Sequence, residues 1–260
     1  MTTADAGGTQ AGPFTRPGFI ASALVVALVA VLGLTVGILT AARDDAVPPG
    51  AGPTQEPALA TAAATAAAAP GPEEAGASVC GLGGEVPGPA RLEAAPQADR
   101  WDYQGTAAYP VSAVYGPAAT SAQGYRYCFQ RSPEGAVFAA ANALATGTDE
   151  ELARTWIDYF LAPGPYREQL LGDASAEASQ APQGGSARLR IVGFRLLSYA
   201  GEEASVDLAV RASTQGRDIT LSMVYHLQWS QGDWRLSAAV ERPLDVVTVP
   251  DAAGYVSWGS

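Results

Sequence analysis

Few side chains in this chain are of types suited to acid–base, nucleophilic or metal chemistry, and their spacing leaves them isolated. There is one histidine, His226, and there are two cysteines, Cys80 and Cys128. A catalytic histidine needs a nucleophile or an acid beside it, and neither a GxSxG elbow nor a Ser/His/Asp order is read around His226. It falls on the strand face opposite Met223 and Tyr225 and reads as a plain polar-face histidine. Asp207 has the type of a general base, but it shares its polar phase with Arg211 and reads as half of a surface ion pair. The cysteines form no CxxC and no Cys/His cluster, so neither a metal site, a cofactor nor a catalytic residue is assigned. Two cysteines in an exported domain read as a disulfide, Cys80 to Cys128. It would close a loop of about 49 residues and contribute about 4 kcal/mol through chain entropy.

Two further sets could recognise rather than react. Alternation gathers Arg188, Arg190, Arg211 and Arg235 on one sheet face, which is either a solvated face or a docking face for an acidic partner. Trp156, Tyr159, Phe160, Tyr225 and Trp229 either line a ligand cavity or build the core. Direct nucleic-acid binding is excluded by charge. Residues 80–260 hold 13 arginines against 20 acidic residues, and phosphate neutralisation needs a basic footprint.

The elements that must position these residues change period along the chain. Residues 80–131 carry frequent Pro and Gly with Trp101, Tyr103, Tyr109 and Tyr115 spaced between them, and read as an extended segment laid over the core. Ser132 followed by Pro133 is a helix start, and its Ala-rich continuation permits close approach of another element. Thr148-Asp149-Glu150-Glu151 reads as a capping box opening a second helix with Leu152, Trp156, Tyr159 and Phe160 on one face. Tyr166–Leu171 makes one more short helix, and Asp173–Ser186 a polar break. The period then becomes two. Leu189–Tyr199 predicts a strand bulged at Gly193, and strands follow around Val206–Val210, Leu221–Trp229 and Trp234–Val240. The expected fold class is α+β, with helices packed on one face of a four-stranded antiparallel sheet.

Ahead of this domain lies Phe19–Ala42, an apolar run of 24 residues with no charge. As a helix it spans about 36 Å, enough to cross a bilayer. It predicts a transmembrane helix between a short cytoplasmic tail (1–18) and a disordered Ala/Pro/Thr-rich linker (43–79). The two cysteines and the spacer beyond the run place the 80–260 domain outside, so the chain is read as a single-pass protein of the cell membrane with its N-terminus inside. Gly33 and Gly37 form a GxxxG on a face of small residues, which suits helix self-association and a homo-oligomer.

The helix-then-sheet order and the Gln231-Gly232-Asp233-Trp234-Arg235-Leu236 turn resemble the nuclear transport factor 2-like cone fold. Cys80-Gly81-Leu82, Gly124-Tyr125-Arg126-Tyr127-Cys128-Phe129, Ser132-Pro133-Glu134-Gly135-Ala136, Ala140-Ala141-Asn142 and Gly254-Tyr255-Val256-Ser257-Trp258-Gly259 resemble a family of membrane-anchored actinobacterial exported proteins. That family is associated with conjugative and integrative elements, and the likeness carries over no catalytic residues. In topology the chain is similar to bridging subunits of type IV secretion systems. The resemblance implies a structural or assembly subunit working with protein partners at the membrane. The alternatives are a ligand-binding module using the cone cavity and, less favoured, an isomerase-like enzyme with Asp207 as base.

Overall fold

The computed structural model describes residues 78–180, 188–214 and 217–260. The tail, the apolar run with Gly33 and Gly37, and the linker as far as residue 77 lie outside the described residues. Among the described residues no helix is long and apolar enough to cross a membrane.

The first helix, α1 (Pro133–Gly147), starts as its sequence dictates: the Ser132 hydroxyl accepts from the Gly135 amide, with Pro133 at the first position. Nearly all of α1 is buried, including Phe138 and all six of its alanines. It lies between the main sheet and a hairpin of β1 (Arg100–Gln104) and β2 (Ala107–Val111), and small side chains let both backbones come close. At the start of the helix Gly135 is required by the preceding loop, since a Cβ there would sit 1.9 Å from the Gln130 carbonyl oxygen. The segment read as merely extended therefore contains a hairpin. After it, β3 (Ala119–Thr120) and β4 (Arg126–Tyr127) make a two-residue pairing.

Helix α2 (Glu150–Phe160) is capped by Asp149, which accepts from the Leu152 amide. Thr148 instead turns its hydroxyl back to the Ala145 carbonyl and closes α1. Helix α3 (Arg167–Gln180) is longer than its sequence reading. It continues through Ala174 and Ala176, whose high helix propensity outweighs the polar composition that suggested a break.

The expected four-stranded sheet is corrected to six strands. These are β5 (Arg188–Tyr199), β6 (Glu203–Thr214), β7 (Arg217–Ser230), β8 (Asp233–Leu236), β9 (Leu244–Val249) and β10 (Val256–Ser257), with path order β10-β5-β6-β7-β8 and β9 also on β7. Strands β8 and β9 share one edge of β7: Leu227–Ser230 pair with β8 and Thr220–Tyr225 with β9. The expected strand running on to Val240 stops at Leu236, the chain loops out, and Pro243 returns it to the same edge, where its carbonyl accepts from the His226 amide. A six-residue strand between Pro243 and Pro250 and a two-residue strand after it give little alternation to count, which is why they escape a sequence reading. The bulge predicted at Gly193 is present, as the β5–β6 register slips between Ile191 and Gly193.

From β9 beyond one edge to β10 beyond the other, residues 250–255 must pass over the sheet. The crossing is about four strand spacings, roughly 19 Å, and seven residue steps reach about 23 Å. This strap, which includes a turn in which the Ala252 carbonyl accepts the Tyr255 amide, lies on the face away from α1. Asp207, Ala209, Thr220 and Ser222 on that face are all buried, and a Cβ on Gly193 would meet Tyr255.

Cys80 and Cys128 are joined, with Cα atoms 6.1 Å apart. The bridge ties the start of the domain to the loop before α1, and the Val79 amide bonds the Gly232 carbonyl in the β7–β8 turn. In that turn Gln231 and Gly232 both have positive φ, the twist a two-residue hairpin loop requires. Replacing both cysteines by Ala is expected to lower the unfolding free energy by about 4 kcal/mol for a 48-residue separation. Urea unfolding of the oxidised full chain beside the double variant checks this, and coincident curves would contradict it.

Candidate functional site

Asp207 was expected at the surface beside Arg211; it is instead fully buried, and its partner is Arg195. The bulge in β5 sets Arg195 directly opposite Asp207 in the ladder, which phase counting within β6 alone does not reveal. Arg195 donates through Nε and Nη2 to Asp207 Oδ2, the Tyr255 hydroxyl donates to the same oxygen at 2.8 Å, and Ser222 Oγ donates to Oδ1 at 2.8 Å. The Arg195 guanidinium also stacks 4.2 Å from the Tyr255 ring centroid, and its bond to the carboxylate raises its pKa. Three of these bonds fall on Oδ2 and one on Oδ1, and the carboxylate is fully buried, so it is bound to its own neighbours and out of a substrate's reach. Asp207 anchors the strap.

The register of β6, β7 and β9 brings together a set that the sequence order concealed. Ser205 Oγ lies 3.0 Å from His226 Nδ1, and Asp245 Oδ2 lies 3.7 Å from His226 Nε2. The composition is that of a serine hydrolase triad, but the geometry is not. The aspartate is beyond hydrogen-bond range, so it cannot hold the imidazole in one tautomer. Nor do the three sit in a cleft: they lie on an open sheet face where His226 and Asp245 are 37% and 51% exposed. Nothing in this arrangement indicates an enzyme, and among the described residues no cluster of His, Cys, Asp or Glu could hold a metal ion.

The five aromatics divide in two. Trp156 and Phe160 stack with ring centroids 4.2 Å apart and, with Tyr159, border an internal cavity of about 10 Å³, room for one water at most. Tyr225 and Trp229 are core side chains of β7, the latter edge-on to Trp234. Tyr159 has a more particular role: its hydroxyl donates to Asp233 Oδ2 at 2.7 Å. Asp233 is buried at the start of β8 and also accepts from the amides of Cys128, Phe129 and Trp234. Burial pushes the Asp233 carboxyl up while these donors pull it down. Burial and Asp233 together raise the Tyr159 phenol, which keeps it protonated as a donor.

Of the four arginines, three converge. Arg188, Arg190 and Arg211 line a cleft of about 320 Å³ at the β5 edge, together with Tyr103, Ser213 and Asp218. Arg235 does not join them. It is buried against α2, with its guanidinium 4.2 Å from the Tyr159 ring centroid and a bond to the Tyr159 carbonyl.

The sequence motifs noted before the strands also resolve into packing. Arg126 Nε donates to Asn142 Oδ1, its Nη2 to Thr146 and its Nη1 to Gln104, and it stacks 3.7 Å from the Tyr109 ring centroid. Asn142 returns its amide to the Pro110 and Phe138 carbonyls. Trp258 fills the space between Trp101, Phe138 and Phe194. The fold and these clusters define a disulfide-bonded domain of mixed helix and sheet whose buried polar groups are held in bonds between its own elements. The chain belongs to the family described as a domain of unknown function (DUF8175), whose profile matches residues 60–257. No curated protein and no solved structure matches it.

Two outcomes follow for these clusters. Asp233→Ala strands three buried amides and a phenol, and is expected to cost about 4 kcal/mol in urea unfolding. Hydrolysis of p-nitrophenyl acetate by the full chain should be unchanged by His226→Ala or Ser205→Ala; a loss in either variant would make Ser205–His226 a working nucleophile–base pair.

Proposed function

We propose that this protein is a membrane-tethered, extracytoplasmic assembly subunit that works by presenting a rigid domain to protein partners. The observation that carries the reading is how the potentially reactive groups are used. Asp207 and Asp233 are buried and held by internal donors, His226 sits on an open face, and the interior cavity admits no organic ligand. What the domain offers a partner is therefore surface.

The disulfide suits an oxidising compartment outside the cytoplasm, and the apolar run 19–42 supports a single membrane crossing with the N-terminus inside. The Gly33/Gly37 face supports association of copies within the bilayer. The motif resemblance supports a conjugation or type IV secretion-like apparatus as the setting. A ligand-binding role inside the core is less well supported, because the aromatics that would line the site fill it.

The test uses the full chain in its native membrane. Protease added to intact spheroplasts is expected to remove the domain and leave the first 40 or so residues protected; full protection of the domain would overturn the orientation. Chemical crosslinking is expected to trap oligomers that Gly33→Ile with Gly37→Ile reduces, together with crosslinks to other envelope proteins. A chain that crosslinks to nothing, itself included, would overturn the assembly role.

A further inference from the structure

The cleft at the β5 edge carries an unbalanced charge. Arg190 and Arg211 are directly opposite one another in the β5–β6 ladder, and like charges in that position repel. Arg188 is two residues from Arg190 on the same face, about 7 Å along the strand. None of the three makes an ion pair among the described residues, although the chain as a whole is acidic, with a net charge of −11. Asp218 and Ser260 also line the cleft; Asp218 accepts the Ser213 hydroxyl at 2.5 Å, and the three guanidiniums outnumber it and the Ser260 carboxylate without an ion pair to either. Beside the arginines stands Tyr103, 65% exposed at the tip of the β1–β2 hairpin. Three guanidiniums in one concavity suit an anion with several oxygens, since one carboxylate occupies a single guanidinium fork.

We propose that this cleft is a binding site for a phosphate monoester, with Arg188, Arg190 and Arg211 gripping the phosphoryl oxygens and Tyr103 covering the organic part. At about 320 Å³ the volume falls at the lower end of small-ligand sites and exceeds what a bare phosphate fills. An acidic protein segment is the competing occupant, and a cleft closed on one side by the hairpin suits a small anion better than an extended chain. The site does not depend on the assembly role: it is read from the β5–β6 register and the hairpin, and either proposal can fail alone.

The test is isothermal titration of the full chain with inorganic phosphate, glycerol 1-phosphate, acetate and a tetraglutamate peptide at constant ionic strength, with vesicles of phosphatidic acid as a separate arm. Saturable binding is expected in the order glycerol 1-phosphate, phosphate, acetate, and Arg190→Gln with Arg211→Gln should weaken the first about tenfold or more. Arg100→Gln, on the outer surface of the hairpin and paired with Asp102, should leave it unchanged. The double variant should also melt at a higher temperature than the wild type in phosphate-free buffer, while phosphate raises the melting temperature of the wild type alone. Vesicle binding lost in the double variant would mark a lipid headgroup as the source of the phosphate; phosphate binding without vesicle binding would mark a soluble ester. Equal, non-saturating heats for all anions, tightest binding by the peptide, or unchanged phosphate affinity in the double variant would overturn the proposal.

Discussion

One buried carboxylate holds the domain's separate parts in place. Asp233 accepts from Cys128 and Phe129 in the loop before α1, from Tyr159 on α2, and from Trp234 in its own strand. Those donors come from elements more than a hundred residues apart in the chain, and without the carboxylate each would be a buried group with no acceptor. The strained backbone at Cys128, where φ is 69°, presents two successive amides to the two oxygens. The disulfide leaves the same residue toward Cys80, and the Val79 amide bonds the neighbouring Gly232 carbonyl. The covalent bridge and the buried charge thus act on one junction: the first pins the chain's entry, and the second fixes the turn that α2 and the sheet share.

A second carboxylate repeats this logic in the middle of the sheet. Asp207 collects Arg195, Ser222 and Tyr255, and Tyr255 belongs to the strap that carries the chain across the sheet to β10. With the strap over the face away from α1, Asp207, Thr220 and Ser222 on that face are buried, so it is not simply a wet surface. Arg188, Arg190 and Arg211 stay accessible in the cleft beside the β1–β2 hairpin. Structural demand and available surface are in this sense linked.

Much was legible in the sequence because it rests on signals acting over a few residues. Ser132-Pro133 starts a helix since its hydroxyl and imide satisfy the first turn locally. Gly193 marks a bulge because the apolar phase visibly slips there. Two cysteines permit one intramolecular pairing. The alternation of β5, β6 and β7 follows from each strand having one face on α1. Thr148 and Asp149 show the limit of such signals: both are good caps, and only the geometry between α1 and α2 gives Thr148 to the first helix and Asp149 to the second.

What the tertiary structure alone decided is the choice of partner across strands. Asp207 and Arg211 share a phase within β6, yet Asp207 pairs with Arg195, because the bulge moves β5 into that register. Ser205, His226 and Asp245 become neighbours only once β9 returns to the edge of β7. Arg235 leaves the arginine set because β8, buried on both faces, turns it toward α2. Phase along a strand is a property of neighbouring residues, whereas register, edge order and burial of an outer face are set by segments far apart in the chain. The sequence by itself therefore determined which residues form helices and strands and which cysteines can join; the packed sheet determined which charges meet, and so where any chemistry or recognition can happen.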